Sequence, residues 1–94
     1  MVKVDLAEIA VTEANDRIRT AGENGEDVEV FNPDARHHIG VGLIHPINVR
    51  VNGSAGYFCA GLTDGPNFTI EGNVGWGVGD NMYKGSVVVN GNAS

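Results

Sequence analysis

A repeat of 19 residues constrains this sequence more than any other feature. Each copy has two apolar residues two positions apart, then a glycine, then a small or apolar residue two positions later. The copies are Val49-Arg-Val51-Asn-Gly53-Ser-Ala55-Gly56, Phe68-Thr-Ile70-Glu-Gly72-Asn-Val74-Gly75 and Val87-Val-Val89-Asn-Gly91-Asn-Ala93-Ser94. The glycine recurs every 19 residues, since 72 − 53 and 91 − 72 both equal 19. A less regular copy, Val28-Glu-Val30, lies 21 residues before Val49-Arg-Val51 (49 − 28).

Each copy predicts a short strand with one buried face, because alternate residues of a strand point to opposite sides. In a stacked solenoid, equivalent positions form ladders, and a corner glycine recurs because the backbone conformation recurs. We therefore predict an all-β fold, a right-handed single-stranded parallel β-helix with 19-residue turns and a short N-terminal capping helix. The two predicted interior ladders are Val49, Phe68, Val87 and Val51, Ile70, Val89.

An antiparallel meander is the alternative interpretation of the repeat. Asn52-Gly53 and Asn90-Gly91 follow alternating apolar residues, and this is the strongest short-range signal for a β-hairpin. A meander, however, does not require its turn residues to recur at one fixed spacing. The constant position of the glycine favours parallel stacking.

The first 27 residues differ from the rest and form a predicted capping segment, residues 1–27. Thr12 is predicted to cap a helix over residues 13–20 that ends at Gly22. Its apolar face is Ala14, Ile18 and Ala21, at i, i+4 and i+7. Residues 28–94 are predicted as the β-helix turns. We expect them to be truncated at the C-terminus, because Ser94 falls inside the third copy.

Length and charge exclude several classes of protein. A chain of 94 residues has room for one domain with a thin core. Twelve acidic and six basic side chains give a net charge of −6, which opposes binding to nucleic acid phosphates. The N-terminus lacks the apolar core of a signal peptide, and no apolar run is long enough for a membrane span. The single cysteine, Cys59, agrees with a reducing compartment, so we predict a cytoplasmic protein.

The glycine-rich stretch Gly75-Trp-Gly77-Val-Gly79 invites comparison with phosphate-binding loops. A dinucleotide fingerprint needs GxGxxG between a strand and a helix, and here the third glycine is one position early and a strand follows. Gly79-Asp80 resembles a calcium-binding nonapeptide repeat, but its aspartate does not recur. The glycines are therefore predicted to be structural.

The remaining reactive residue types do not form a recognisable site in the sequence. His37, His38 and His45 have no suitably spaced carboxylate or thiolate partner for a metal, and adjacent residues of a strand face opposite sides. Cys59 has no nearby base and fits a small apolar core position. Trp76 and Tyr83 could be contact residues or core residues. We predict no catalytic, cofactor-binding or metal-binding residue in this chain.

Several consecutive motifs carry a family resemblance that covers nearly the whole chain. The chain resembles the GXGXG domain of the C-terminal region of the glutamate synthase α-subunit, and within that family it is most similar to the small subunit of N-methylglutamate synthase, a methylamine–glutamate N-methyltransferase. The motifs are Asn32-Pro-Asp-Ala-Arg-His-His-Ile-Gly-Val-Gly-Leu43, Val51-Asn-Gly-Ser-Ala-Gly-Tyr57, Cys59-Ala-Gly-Leu62, Gly72-Asn-Val-Gly75 and Gly75-x-Gly77-x-Gly79. The predicted structural motif consists of Gly53, Gly56, Gly72, Gly75, Gly77, Gly79 and Gly91.

The resemblance implies a β-helix that supplies no catalytic side chain and belongs to a glutamate synthase-like oxidoreductase or transferase in glutamate metabolism. Its implied partners are an amidotransferase-like subunit and an FMN-binding synthase subunit, with FMN and an iron–sulfur cluster in the partner. Self-association through the open end of the β-helix is a further expectation.

Two alternatives stay open. The C subunit of formylmethanofuran dehydrogenase has the same kind of glycine-marked repeats and would imply a pterin enzyme as partner. A stand-alone binding or solenoid module would be folded and monodisperse without partners.

Overall fold

The computed structural model describes residues 1–57, 59–61, 63–75, 77–79, 82 and 84–91. It contains five short strands and one helix. In chain order the elements are β1 (Val2–Asp5), α1 (Val11–Glu23), β2 (Val28–Phe31), β3 (Asn48–Asn52), β4 (Asn67–Ile70) and β5 (Ser86–Val89). Trp76, Asp80, Tyr83, Ala93 and Ser94, on which the sequence raised hypotheses, lie outside the described residues.

All five strands pair in parallel, in the order β1-β2-β3-β4-β5. The antiparallel meander is therefore excluded. The register preserves the repeat found in the sequence, because Val49 pairs with Phe68 and Phe68 pairs with Val87. Val28 pairs with Val49, 21 residues later, as the irregular first copy predicts. The predicted residue ladders are thus confirmed.

The prediction of a right-handed parallel β-helix with 19-residue turns is wrong. The strands form one open parallel sheet that is accompanied by a helix, an α/β-like arrangement. A β-helix needs further sheets, formed by strands within the connections. The described connections of this protein contain turn residues and a single isolated β-bridge, which joins Ala55 and Val74. The 19-residue repeat reflects the register of neighbouring parallel strands. Connections of equal length produce the same register in an open sheet. The first pairing also breaks the period, since Val2 pairs with Val28.

The buried face of the sheet forms most of the core. Along the central row, Val4, Val30, Val51 and Ile70 are fully buried. The neighbouring row contains Phe68, whose ring is also fully buried. Burial of one such side chain contributes about 1.5–3 kcal/mol. The core therefore follows the period-2 pattern of the sequence.

Helix α1 connects β1 to β2 and packs against β1. Ala14, Ile18 and Ala21 are buried, so the predicted apolar face is confirmed. The predicted cap at Thr12 is wrong: the helix begins at Val11, and Ala10 occupies the N-cap position without a side-chain hydrogen bond. The helix continues through Gly22 to Glu23, so the prediction that it ends at Gly22 is wrong. Gly22 is buried against His45, where a Cβ atom would overlap the imidazole, and this close contact explains the glycine.

Asn15 joins the helix to the connection between β2 and β3. Its side-chain oxygen accepts a hydrogen bond from the Gly40 amide at 2.8 Å, and its side-chain nitrogen donates to the His38 carbonyl at 2.9 Å. A single amide side chain thereby satisfies two backbone groups of a loop. Within the described residues, no helix is long and apolar enough to span a membrane.

Candidate functional site

The first candidate site is a column of glycines at the ends of β3, β4 and β5, formed by Gly53, Gly72 and Gly91. Gly53 has a φ of +133°, which favours glycine. A Cβ atom on Gly72 would lie 2.5 Å from the Gly53 carbonyl carbon and 2.6 Å from its oxygen. A Cβ atom on Gly91 would overlap the Gly72 carbonyl in the same way. Close approach of the backbones therefore requires glycine at Gly72 and Gly91, and we call this set the first glycine column.

A second glycine column, formed by Gly56 and Gly75, lies beside the bridge between Ala55 and Val74. A Cβ atom on Gly75 would lie 2.6 Å from Cδ1 of Tyr57 and 2.9 Å from the Gly56 carbonyl carbon. A Cβ atom on Gly56 would overlap the His37 ring and the Ala35 carbonyl. The absence of a side chain at Gly56 and Gly75 therefore leaves space for the rings of His37 and Tyr57 and for the neighbouring backbone.

The other two glycines of the motif, Gly77 and Gly79, have positive φ values of +83° and +65°. The Gly79 amide donates a hydrogen bond to the Cys59 carbonyl at 2.9 Å, and the Gly75 amide donates to the Ala55 carbonyl at 3.2 Å. A phosphate-binding loop needs amides that point freely at the ligand. At Gly75 and Gly79 these groups are already used by the protein, so the motif has a structural explanation.

Carboxylates and asparagines form pairs between neighbouring strands. Asn48 donates from its backbone and side-chain nitrogens to Asp27 at 2.9 and 3.3 Å. Asn32 donates to Asp5 at 2.9 Å, and Asn52 donates to Glu29 at 2.8 Å. Each pair joins an acidic residue to an asparagine one strand further along the sheet. The asparagines at these strand ends were not identified as functional residues from the sequence, although their recurrence was a usable signal.

The fourth pair is Asn90 with Glu71, and Glu71 also accepts a hydrogen bond from Arg50 at 2.9 Å. The hydrogen bond from Asn90 is the largest cause that lowers the pKa of Glu71, followed by the hydrogen bond from Arg50. The Asn32 hydrogen bond lowers the pKa of Asp5. These interactions favour the ionised carboxylates.

The backbone hydrogen bond from Asn48 similarly lowers the pKa of Asp27. Asn48 in turn accepts a hydrogen bond from Asn67 at 3.5 Å, and Asn67 accepts one from Ser86 at 2.9 Å. This polar row runs across the starts of the strands from β3 to β5. These hydrogen bonds hold the strands in register, and the polar side-chain atoms of the row bond to one another.

The reactive residue types do not form a metal-binding cluster among the described residues. Cys59 is fully buried, and burial raises the pKa of its thiol to about 12, so the thiolate that a nucleophile needs is disfavoured. Among the described residues, no group of three or more His, Cys, Asp or Glu side chains could hold a metal ion. His37 and His38 lie next to each other with ring centroids 6.4 Å apart. His45 packs on Gly22 of the helix.

A groove of about 340 Å³ lies between α1 and β1. Its walls carry Lys3 and Arg17 as well as Glu13 and Asp16. Arg17 is already paired with Glu13 at 3.5 Å, and Arg19 with Asp16. The mixed charges do not select an anion or a cation, so the groove does not define a ligand.

The outer edge of β5, which pairs with no further strand among the described residues, is the second candidate site. The amides of Ser86 and Asn90 donate to carbonyls on the β4 side, so the polar backbone groups of Val87 and Val89 point to the open edge. Both valines are only partly buried, and the Val88 side chain is 49% exposed. Residues 86–91 contain no charged side chain. Natural edge strands usually carry charges or proline that prevent pairing, and β5 has neither.

Within the described residues, the fold is a parallel sheet whose strands are held in register by stacked glycines and whose β5 edge is apolar and pairs with no further strand. The chain is similar to Protein GlxC of Rhizobium meliloti (strain 1021), with 42% identity over 91 residues. The similar region covers 95% of this chain and 40% of GlxC, so this chain spans well under half the length of that relative. No family model matches the chain, and no solved structure matches it.

Proposed function

We propose that this chain is a non-catalytic structural module of a glutamate synthase-like complex of the N-methylglutamate synthase type. The consecutive glycine motifs support this proposal, since they resemble the GXGXG domain and extend over the region of similarity with GlxC. The glycine columns explain the same motifs as backbone packing, without a ligand. The module would contribute a surface for assembly while its partners perform the chemistry.

In this proposal the partners are an amidotransferase-like subunit and an FMN-binding synthase subunit. FMN and the iron–sulfur cluster would be bound by the synthase subunit. The described residues offer no cluster of metal ligands, and Cys59 is buried with a raised pKa.

The single observation that carries the assembly role is the open edge of β5. Among the described residues, this edge combines outward-facing backbone groups of Val87 and Val89 with half-buried valines and has no charged side chain. Such an edge is a template for pairing with another strand. The occupant would be a strand of a partner subunit or, in the absence of partners, β5 of a second copy.

The proposal can be tested by expressing the chain together with an amidotransferase-like and a flavin-binding protein encoded beside it. We expect the three proteins to elute as one species on size-exclusion chromatography, with flavin absorbance in that peak. Val89→Pro should weaken the assembly, because it removes an outward amide of β5 while leaving the bonds to β4 in place. Val88→Thr is the matched control, since it changes the exposed face of the same strand and keeps a residue suited to strands.

Separate elution of the chain, or equal elution of wild type and Val89→Pro in the complex, would contradict the role of the β5 edge. The non-catalytic role has its own test. Cys59→Ala and Tyr57→Phe should leave the activity per assembled complex unchanged, since neither side chain is expected to contact a substrate. A large loss of activity in an intact complex would refute it.

A further inference from the structure

His37 makes a hydrogen bond that depends on the charge of its imidazole ring. Its Nδ1 atom accepts a hydrogen bond from the Tyr57 backbone amide at 2.8 Å. The two rings also stack, with centroids 4.8 Å apart and planes 16° apart. A ring nitrogen can accept a hydrogen bond only while it carries a lone pair. The observed contact therefore requires an imidazole that is unprotonated at Nδ1.

This hydrogen bond completes a row of backbone contacts between residues 35–38 and 54–57. The Ala35 amide donates to the Ser54 carbonyl, the Gly56 amide to the Arg36 carbonyl, and the His38 amide to the Tyr57 carbonyl, each at 2.8 Å. The Tyr57 amide is the remaining donor of the row, and a side chain accepts its hydrogen bond instead of a carbonyl. Gly56 makes this possible because a Cβ atom there would overlap His37.

We propose that His37 is a pH-sensitive latch, which fastens residues 35–38 to residues 54–57 when neutral and releases the Tyr57 amide when protonated. The proton binds at Nδ1 and occupies the lone pair that the Tyr57 amide uses. Two N–H groups then face each other, and the contact becomes repulsive. Histidine is the side chain that changes its charge in the physiological range of pH.

The described neighbours of His37 do not stabilise the protonated form of its ring. His38 approaches it edge-on at 6.4 Å, and Tyr57 covers one face of the ring. Asp34 and Arg36 are the charged neighbours in the same segment, and Gly56 presents only backbone. Among the described residues, no carboxylate forms an ion pair with His37. Protonation therefore removes one bond without supplying another.

Release of the latch changes the second glycine column. The Tyr57 side chain is 53% exposed, and its ring lies against the position of Gly75. Loss of the His37 contact uncovers the other face of the Tyr57 ring and frees one backbone donor. Protonation thus alters the surface at this corner of the fold while the central strands stay paired.

Hydrogen exchange measured by NMR on the full chain tests the latch at about pH 8 and about pH 5, on either side of the range in which histidine side chains commonly change charge. We expect the protection factor of the Tyr57 amide to fall about tenfold or more at the lower pH. The amides of Val49 and Val51 in β3 should keep their protection, which separates local release from unfolding.

Three variants distinguish the latch from other effects of pH. His37→Asn places an oxygen acceptor at the position of Nδ1 and cannot titrate, so Tyr57 should stay protected at both pH values. His37→Phe keeps the stacking but lacks an acceptor, so Tyr57 should be unprotected at both. His38→Asn removes the neighbouring imidazole at a φ of +64°, which asparagine tolerates, and should keep the pH response.

The latch is refuted if the protection of the Tyr57 amide in the wild type is equal at the two pH values. It is also refuted if His37→Asn shows the same loss at low pH as the wild type. His37→Asn decides the question even where His37→Phe does not fold.

Discussion

Gly72 and Gly25 differ in the reason for which each position needs a glycine. Gly72 has an ordinary φ but lies against the Gly53 carbonyl, where a Cβ atom would be 2.5 Å from the carbonyl carbon. Gly25 has a φ of +69° and nothing within 4 Å of an added Cβ atom. Gly72→Ala thus tests close packing, whereas Gly25→Ala tests backbone conformation alone.

We expect Gly72→Ala to lower the free energy of unfolding by about 3 kcal/mol, because β3 and β4 must separate to admit the methyl group. Gly25→Ala should cost only about 1 kcal/mol, the strain of a left-handed conformation. Urea denaturation followed by circular dichroism measures both values. Equal losses in the two variants would show that backbone conformation, and not close packing, explains the first glycine column.

The carboxylate and asparagine pairs predict how stability depends on pH. Hydrogen bonds lower the pKa of Asp5, Asp27 and Glu71 in the folded protein. A carboxyl with a lowered folded pKa stabilises the fold above its ordinary value, 3.8 for Asp and 4.5 for Glu. This contribution is lost as the pH falls through the lower, folded pKa. The contribution of these three carboxyl groups should therefore be constant near neutral pH and decrease below about pH 4.5.

Thermal melting between neutral and acidic pH measures this decrease. Asp27→Asn should melt at a lower temperature than wild type at neutral pH and should lose less on acidification, because one of the three carboxyl groups no longer titrates. Glu8→Gln is a suitable control, since Glu8 is exposed and its side chain has no hydrogen bond in the described structure. An unchanged acid response in Asp27→Asn would exclude the Asp27–Asn48 pair as a source of the pH dependence.

The attachment of helix α1 depends on a polar contact as well as on its apolar face. Asn15 makes two hydrogen bonds to backbone groups of the β2–β3 connection. Replacement by alanine removes both and takes away the acceptor of the Gly40 amide, whereas the His38 carbonyl still accepts from the Val41 amide at 3.3 Å. We expect Asn15→Ala to lower the free energy of unfolding by about 2 kcal/mol. Arg17→Ala removes an exposed ion pair with Glu13 on the same helix and should cost about 0.5 kcal/mol or less. Chemical denaturation compares the two, and a larger loss for Arg17→Ala would contradict this view of the helix.

The elements show which parts of the fold the sequence could predict. The apolar face of α1 and the ladder Val49, Phe68, Val87 follow from periodicity, because burial imposes one period on helices and another on strands. Strand β1 was harder to predict, since its two valines resemble an ordinary extended segment and its partner lies 26 residues away (28 − 2). The class of the fold was predicted wrongly because a repeat fixes register but not the structure of the connections.

The candidate sites were predictable to a different degree. The glycines were found because their spacing is visible in the sequence, and only coordinates show that Gly72 is needed for close approach. The contact between His37 and Tyr57 joins residues 20 positions apart through a ring nitrogen and a backbone amide. This contact depends on the paths of two loops, so no periodic pattern in the sequence predicts it.

The whole sheet is built from contacts between neighbouring strands, and its two edges are protected differently. Helix α1 packs against β1, whereas β5 is uncovered on its outer side in the described structure. Val30, Val51 and Ile70 are fully buried, but Val87 and Val89 remain partly exposed. In such a one-dimensional arrangement, an uncovered end strand opens at the lowest free energy.

Native-state hydrogen exchange should therefore show a gradient along the sheet. We expect the amides of β3 to exchange only by global unfolding, and the β4-directed amides of β5, such as Asn90, to exchange about a hundredfold faster or more, through local opening. Protein concentration is the informative control, because pairing of β5 with a second copy would raise its protection as the concentration increases. Protection of β5 equal to that of β3 at every concentration would mean that the sheet opens as one cooperative unit, in which case its uncovered edge does not weaken it.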